Sequence, residues 1–319
     1  MIPSERPPSG LRIDIGICTF RRPELTDALR SLASLHVPES WHVRVVVADN
    51  DEVPSACERV EAVRSELPFP IAYIHCPAAN ISIARNTCLE AAEGDFLAFL
   101  DDDETASPDW LSELMATADA TGADAVLGPV RAHYRADAPR WMRDGDFHST
   151  LPVWVRGHIR TGYTCNVLLR RASPSVAGRR FSLARGRSGG EDTEYFTRLH
   201  EAGGRIEFAP NAWVHEAVPT ARAQLSWLAR RRFRSGQTHG HLLGGAASSI
   251  GLGKHVGLAG AKAVYCFAAA SALVFSPRLR NRYALRGVMH VGVVSGLAGL
   301  RELQQYGDVA PKQEAGIGT

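Results

Sequence analysis

The sequence has 319 residues, of which 45% are hydrophobic and 22% charged, with 36 basic and 34 acidic side chains. This composition is typical of a folded globular protein and excludes a disordered chain, a collagen and a small disulfide-stapled scaffold. Charge is nevertheless uneven, because the 85 residues between Glu216 and Glu302 contain twelve Lys or Arg and no acidic residue. The chain therefore combines an acidic body with a basic, partly apolar C-terminal region.

Short apolar runs alternate with amphipathic stretches in the first part of the chain. The apolar runs predict strands at Leu11–Cys18, His42–Ala48, Phe69–His75, Phe96–Leu100 and Ala123–Val130. The stretches between them predict helices that begin near Pro23 and Pro108 and that cover Pro54–Leu67 and Ile81–Ala92. This alternation indicates an α/β fold, a mostly parallel, Rossmann-like sheet with helices on both faces.

The alternation becomes irregular after Val130. Residues 131–160 are rich in Trp, His and charge and predict long loops or short antiparallel pieces. Further elements are expected as strands at Thr164–Arg170, Arg205–Phe208 and Ala212–His215, a helix at Glu191–Glu201, and a basic helix from Thr220 to about Leu243. The predicted organisation is a flexible leader (1–10), an α/β domain (11–218), a basic and apolar helical region (219–304) and a disordered end (305–319).

The basic region contains two uncharged stretches, Ala263–Pro277 and Gly287–Leu300. Each is shorter than the roughly 20 apolar residues that span a bilayer. Apolar helices flanked by arginines are typical of segments that lie on a membrane and contact anionic headgroups, so we expect an anionic membrane surface as a partner. Two core helices of a soluble subdomain, or one span with Lys262 snorkelling, are the alternatives. Nucleic acid is not expected, because the arginines do not alternate with stacking aromatic residues.

Two features of the chain predict its compartment. The first ten residues contain three prolines and no apolar stretch, so we expect no secretory signal. Six scattered cysteines without a C-x-x-C pair or metal-ligand spacing favour reduced thiols. We therefore expect a cytoplasmic protein, peripheral on the inner face of the cell membrane.

Three aspartates and a glutamate, Asp101–Glu104, directly follow one predicted strand. Their repulsion raises their pKa values unless a cation or hydrogen-bond donors offset it. Ligands of open α/β sheets bind beyond the carboxyl ends of strands, where a divalent metal (Mn²⁺ or Mg²⁺) on oxygen ligands would bridge substrate phosphates. An acidic turn that caps the next helix is the alternative. Polar residues also end the two preceding strands, where Asp49 can accept hydrogen bonds from a base and Arg22 can pair with a phosphate.

The order of these motifs resembles the family 2 inverting glycosyltransferases of bacterial polysaccharide assembly, which have a GT-A fold. The resemblance covers about Arg12–Glu216. Its motifs are Ile17-Cys18-Thr19-Phe20-Arg21-Arg22-Pro23, Val47-Ala48-Asp49-Asn50, Ala84-Arg85-Asn86, Phe99-Leu100-Asp101-Asp102-Asp103-Glu104 and Gly190-Glu191-Asp192. No Gln-x-x-Arg-Trp motif follows, which favours transfer of a single sugar over processive synthesis.

The resemblance implies a role for individual residues by matching position. The residues implied in binding the nucleotide-sugar donor are Thr19, Phe20 and Asp49 at the base, Arg22 at a phosphate, Arg85 near the nucleotide or its diphosphate, and Asp101 and Asp102 on the ribose and sugar side. The resemblance further implies Asp192 as the catalytic base, with Glu191 as the neighbouring candidate. It implies a metal bound by Asp103, with His215 completing the site.

The sequence thus predicts metal-dependent, inverting transfer of one sugar from a nucleotide-diphosphate sugar to an acceptor hydroxyl. The acceptor is expected to be a saccharide, carried on a lipid, in cell-surface polysaccharide synthesis. Three alternatives stay open. The first is a membrane-docked protein with a degenerate site that only binds saccharides or nucleotide sugars. The second is a D-x-D-x-T phosphatase, disfavoured because all three lysines lie beyond residue 253. The third is a nucleotidyltransferase, disfavoured because no glycine-rich loop follows the first strand.

Overall fold

The computed structural model describes residues 10–246 and 249–303. Its strands are β1 (Leu11–Thr19), β2 (Trp41–Asp49), β3 (Ile71–His75), β4 (Phe96–Asp101), β5 (Glu104–Ala106), β6 (Ala125–Leu127), β7 (Val130–Tyr134), β8 (Trp154–Val155), β9 (His158–Ile159), β10 (Asn166–Arg170), β11 (Ile206–Phe208) and β12 (Val214–Val218). Its α-helices are α1 (Leu25–Leu32), α2 (Cys57–Val63), α3 (Ile81–Ala91), α4 (Trp110–Thr121), α5 (Arg140–Gly145), α6 (Glu191–Glu201), α7 (Leu225–Ala246), α8 (Ser249–Ala272) and α9 (Pro277–Leu297).

The large sheet has the strand order β11-β6-β10-β4-β1-β2-β3. Strands β4, β1, β2 and β3 run parallel, and β10 lies antiparallel between β4 and β6. The central strands read as continuous apolar runs because two separate hydrophobic clusters cover their two faces. The predicted α/β architecture with a mostly parallel sheet is therefore confirmed.

One predicted strand, Ala123–Val130, is two strands in the structure. The break falls at Gly128 and Pro129, after which β7 leaves the large sheet. A Cβ atom at Gly128 would lie 2.5 Å from the carbonyl oxygen of Ala212, so only glycine fits this approach. Proline has no N–H for a ladder hydrogen bond, which ends the first strand.

A second sheet, in the order β5-β12-β7, stands at the carboxyl end of β4. Strand β5 follows β4 after only two residues, and β12 pairs antiparallel with it. This register places Glu216 opposite Glu104 and His215 opposite Thr105. The small sheet therefore brings a distant acidic residue to the run of aspartates that the sequence singled out.

The C-terminal helices pack through glycines. A Cβ atom at Gly236 of α7 would lie 2.0 Å from the carbonyl oxygen of Met289, and one at Gly292 of α9 would lie 2.0 Å from that of Phe233. The backbones of α7 and α9 are therefore in direct contact. None of the helices in the described ranges is both long and apolar enough to cross a membrane. The predicted leader and disordered end lie, except for Gly10, outside the described residues.

Candidate active site

The carboxyl ends of β1, β2 and β4 meet at one edge of the large sheet. Thr19 pairs with Asp49, and Cys18 pairs with Asp101. Thr19 and Asp49 are buried, whereas Phe20 is half-buried beside the guanidinium of Arg21, whose Cζ lies 5.0 Å from the ring centre. The parallel register of the sheet, which any βαβ arrangement would share, thus brings the predicted donor-binding residues together.

Asp49 has a structural environment of its own. Its carboxylate accepts hydrogen bonds from the N–H groups of Asp51 (3.1 Å) and Ala56 (2.9 Å) and from the hydroxyl of Tyr73 (2.7 Å). Burial, followed by the bond to Asp49, raises the pKa of Tyr73 well above its usual value. Asp49 therefore organises the loop after β2, and its predicted contact with a base stays a prediction.

Five carboxylates gather beyond β4 and form what we call the acidic pocket: Asp101, Asp102, Asp103, Glu104 and Glu216. Burial, with neighbouring carboxylates, raises the pKa of Asp101 to about 6 even though Arg85 opposes the rise. Burial and Asp103 raise the pKa of Asp102 to about 8. Burial, then Asp101 and Glu216, raise the pKa of Glu104, and burial, then Asp103, raise the pKa of Glu216. The acidic pocket therefore favours the addition of positive charge.

Two arginines already face the acidic pocket, and both contact the same oxygen. The Nη2 atom of Arg22 lies 3.6 Å from Oδ2 of Asp103, and its Nε lies 3.9 Å from Asp102. The Nη2 atom of Arg222 donates to Oδ2 of Asp103 at 2.9 Å, and its Nη1 donates to Glu216. Asp103 is thus the carboxylate of the acidic pocket that both arginines contact.

The start of α6 carries the two acidic residues proposed for catalysis. Gly189 and Gly190 enter the helix with φ angles of 84° and 86°, which favour glycine. Glu191 is 2% exposed and accepts a hydrogen bond from Arg85, while its Oε2 is buried without a partner among the described residues. Asp192 is half-buried and accepts from the N–H of Thr193 at 2.6 Å. Of the two, Asp192 is the one that an incoming hydroxyl can reach.

Comparison with known proteins agrees with this arrangement. The model of glycosyl transferase family 2 matches residues 14–177, about half of the chain. Over 301 residues the chain is 62% identical to the succinoglycan biosynthesis protein ExoM of Rhizobium meliloti (strain 1021). The match covers 94% of this chain and 97% of that protein. This chain belongs to glycosyl transferase family 2. The enzyme is thus a glycosyltransferase, as the motifs predicted, and the phosphatase, nucleotidyltransferase and non-enzymatic alternatives are set aside.

More distant relatives share the fold of the enzyme. This chain is 26% identical to the glucosyl-dolichyl phosphate glucuronosyltransferase of Haloferax volcanii, and the match covers 71% of this chain and 75% of that protein. The mannosyltransferase PcManGT from Pyrobaculum calidifontis, solved with GDP-Man and Mn²⁺, superposes with a TM-score of 0.63 at 17% identity over 92% and 90% of the two chains. S. aureus TarS 1-349 with UDP-GlcNAc gives 0.52 at 16% identity over 91% and 93%. These structures confirm the GT-A fold.

The donor atoms of the enzyme's acidic pocket suit a hard divalent ion. Ligand atoms of Asp101, Glu104 and Cys165 lie within 4.8 Å of one another, and Asp103 stands at the same strand end. Carboxylate oxygens are the ligands that Mg²⁺ and Mn²⁺ prefer, and burial together with neighbouring carboxylates raises the pKa values of Asp101 and Asp102. The residues present therefore fit the predicted metal, although they differ in part from the predicted pair Asp103 and His215.

His215 faces away from the carboxylates because side chains alternate along a strand. Its neighbour Glu216 points into the acidic pocket, whereas Nδ1 of His215 lies 2.8 Å from Nε2 of His133. Burial, then His133 and Arg131, lower the pKa of His215. The structure thus brings Glu216, not His215, beside Asp103, and a metal role for His215 stays a prediction.

Arg85 is a buried residue between β4 and the start of α6. It is 6% exposed and contacts Glu191, with Asp101 and Asp192 as further charged neighbours. These carboxylates raise the pKa of Arg85 despite its burial. In this structure Arg85 therefore joins β4 to the start of α6, and its predicted contact with the donor stays a prediction.

Sequence reasoning missed two residues of the site, Glu216 and Arg222. Glu216 could have been predicted, because side chains alternate along a strand and residues 214, 216 and 218 therefore share one face. Arg222 carried no such signal, since it lies 119 residues from Asp103 and forms part of no motif.

Proposed function

We propose that this enzyme transfers one sugar, with inversion, from a nucleotide-diphosphate sugar to a hydroxyl of a lipid-carried saccharide, with the help of a divalent metal. The observation that carries the proposal is the acidic pocket at the end of β4, flanked by arginines and close enough to Asp192 for their charges to interact. The name of the 62% identical relative, a succinoglycan biosynthesis protein, supports a polysaccharide product. Nucleotide sugars bound to two structural neighbours support the donor class.

On the donor side, the departing nucleoside diphosphate develops negative charge. Asp103 and the other carboxylates of the acidic pocket would hold the metal, which supplies a Lewis acid for that charge when it is bound. Arg22 lies beside Oδ2 of Asp103, where its positive charge can interact with the phosphates. Thr19 ends β1 and Phe20 follows it, and we assign both to the lining of the base.

On the acceptor side, the hydroxyl must lose its proton as its oxygen attacks the anomeric carbon. Asp192 is the half-buried carboxylate that can take this proton. The buried Arg85–Glu191 pair fixes the first turn of α6 and therefore the position of Asp192. A single displacement with one base inverts the anomeric carbon, which NMR of the product against the donor would test: a retained configuration refutes inversion.

The outer face of α8 supports the membrane partner. Val264 and Tyr265 are 71% and 65% exposed, and Phe275, just beyond the helix, is 98% exposed. Lys254 and Lys262 are exposed on the same helix, within the region that has no acidic residue until Glu302. An apolar face edged by lysines complements an anionic lipid surface, and it would keep the site near a lipid-carried acceptor at the inner face of the membrane.

The donor proposal is tested by calorimetric titration of UDP, GDP and dTDP, each with and without Mn²⁺, against wild type and Asp103→Ala. We expect one nucleotide to bind with Mn²⁺ and to lose most of its affinity in the variant. Asp109→Ala is the matched control, because Asp109 is an exposed carboxylate paired with His36 outside the acidic pocket. Binding of no nucleotide by the wild type would overturn the proposed donor site.

The membrane proposal is tested by sedimentation with vesicles that contain anionic lipid. Val264→Glu should weaken binding, because it places a charge in the exposed apolar face of α8. Val53→Glu is the matched control, since Val53 is 60% exposed in the loop after β2. Equal loss, or no loss, in the two variants would refute membrane contact through α8.

A further inference from the structure

Arg222 contacts two carboxylates of the acidic pocket, the site that we assign to the metal. Its guanidinium bridges Asp103 and Glu216, and it donates to the oxygen of Asp103 at 2.9 Å. The Arg222 side chain is 21% exposed, so this contact is largely shielded from water. A divalent ion coordinated by that oxygen would repel the guanidinium at this distance.

The main chain of Arg222 is fixed by a hydrogen-bonded network around a buried histidine. The hydroxyl of Tyr134 accepts from the N–H groups of Phe147 (2.9 Å) and His148 (3.0 Å) and donates to Nδ1 of His148 (3.0 Å). Nε2 of His148 donates in turn to the carbonyl oxygen of Arg222 at 3.0 Å. His148 is 2% exposed, and its ring stacks on Trp227 with centroids 5.3 Å apart. The network therefore fixes the backbone of Arg222.

We propose that Arg222 is a displaceable cation. It neutralises Asp103 and Glu216 while the donor site is empty, and its guanidinium moves to the diphosphate when a divalent metal takes its place at Asp103. Because His148 holds the backbone, only the side chain has to move, and the guanidinium remains tethered beside the acidic pocket. Arg222 is then a positioning residue in the empty enzyme and a contact of the leaving group in the loaded one, an inference that rests on the proposed function.

The proposal gives opposite signs for two affinities of one variant. We expect the full-length Arg222→Ala protein to bind Mn²⁺ alone about tenfold more tightly than wild type, because one competing positive charge is gone. With saturating Mn²⁺, it should bind the nucleotide that wild type prefers about tenfold more weakly, because a charged hydrogen bond to phosphate is lost. Electron paramagnetic resonance of free Mn²⁺ measures the first affinity, and calorimetry measures the second.

Controls separate the competition from a general change in charge or folding. Arg140→Ala removes the same charge from an exposed pair with Asp144 and should match wild type in both titrations. Arg222→Gln keeps a hydrogen-bond donor without the charge and should reproduce the tighter Mn²⁺ binding, which covers the case in which the alanine variant does not fold. Circular dichroism melts identify the folded variants.

Unchanged or weaker Mn²⁺ affinity in folded Arg222→Ala or Arg222→Gln overturns the inference. Unchanged nucleotide affinity with saturating Mn²⁺ overturns its second half, the move to the diphosphate. Failure of the proposed function is distinguishable, because the wild type would then bind no nucleotide with Mn²⁺, whatever the variants do.

Discussion

The buried ion pair of Arg85 and Glu191 leads to a stability prediction with a built-in asymmetry. The two side chains are 7% and 3% exposed, so their charges must be compensated by other protein groups and not by water. Arg85 also interacts with Asp101 and Asp192, whereas Glu191 has Asp192 as a like-charged neighbour. Loss of Glu191 therefore leaves Arg85 compensated, but loss of Arg85 leaves a buried carboxyl group among carboxylates.

The magnitude follows from the protonation of Glu191. Without Arg85, the buried carboxyl avoids ionisation by keeping its proton, which costs about 1.4 kcal/mol for each pH unit above an ordinary Glu pKa of about 4.3. We therefore expect Arg85→Met to lower the free energy of unfolding by about 4 kcal/mol at pH 7 and about 1 kcal/mol at pH 5. Glu191→Gln should cost about 1 kcal/mol at both pH values, because a hydrogen bond to Arg85 remains possible.

Urea unfolding at pH 5 and pH 7 measures these free energies for wild type, both single variants and the double variant. Methionine keeps most of the arginine stem, so packing against Phe181, whose ring centre lies 5.7 Å from the Arg85 guanidinium carbon, is preserved. In the double variant the pH 7 loss should shrink, since no carboxyl is left to be protonated. A cost of Arg85→Met that is the same at both pH values, or that does not exceed that of Glu191→Gln at pH 7, would refute the reasoning.

Three further predictions concern other parts of the molecule. Burial raises the pKa of Asp102 to about 8, so the folded state binds a proton that the unfolded state has lost. The free energy of unfolding in EDTA should therefore fall by about 2 kcal/mol from pH 6 to pH 8. Urea unfolding of Asp102→Asn should show a smaller fall. Gly236→Ala, whose methyl would lie 2.0 Å from a carbonyl oxygen, should lower stability by about 2 kcal/mol in thermal unfolding, whereas Gly253→Ala, with open space around it on α8, should raise it by up to about 1 kcal/mol. Asp192→Asn should reduce kcat by about 10²–10⁴ in a sugar-transfer assay while the donor affinity measured by calorimetry stays unchanged.

Elements with strong local signals were predicted nearly to the residue. Strand β4 extends one residue beyond the predicted Phe96–Leu100, and helix α3 ends one residue before the predicted Ile81–Ala92. A buried parallel strand is a continuous apolar run with a polar end, so its bounds can be predicted from the sequence. The convergence of Thr19, Asp49 and Asp101 followed from the same pattern.

Elements that depend on distant partners were predicted less well. The predicted strand Thr164–Arg170 begins only at Asn166, and its antiparallel place between β4 and β6 had no local signal. Asn166 takes that place because its amide bonds to the carbonyl oxygens of Pro129 and Ala212 and to the indole of Trp110. Contacts of this kind are set by tertiary structure, as is the bridge from Arg222 to Asp103.

The glycine contact between α7 and α9 has a mechanical consequence. Where Gly236 meets α9, no side chain lies between the two backbones to absorb a change of angle, so we expect α7 and α9 to tilt together. Helix α7 has 22 residues and is about 33 Å long, so a tilt of about 5° about one end displaces the other by about 3 Å. That end carries Trp227, stacked on His148. A displacement of that size exceeds what the 3.0 Å hydrogen bond from His148 to Arg222 tolerates, so we expect a tilt of the helix pair to release the backbone of Arg222.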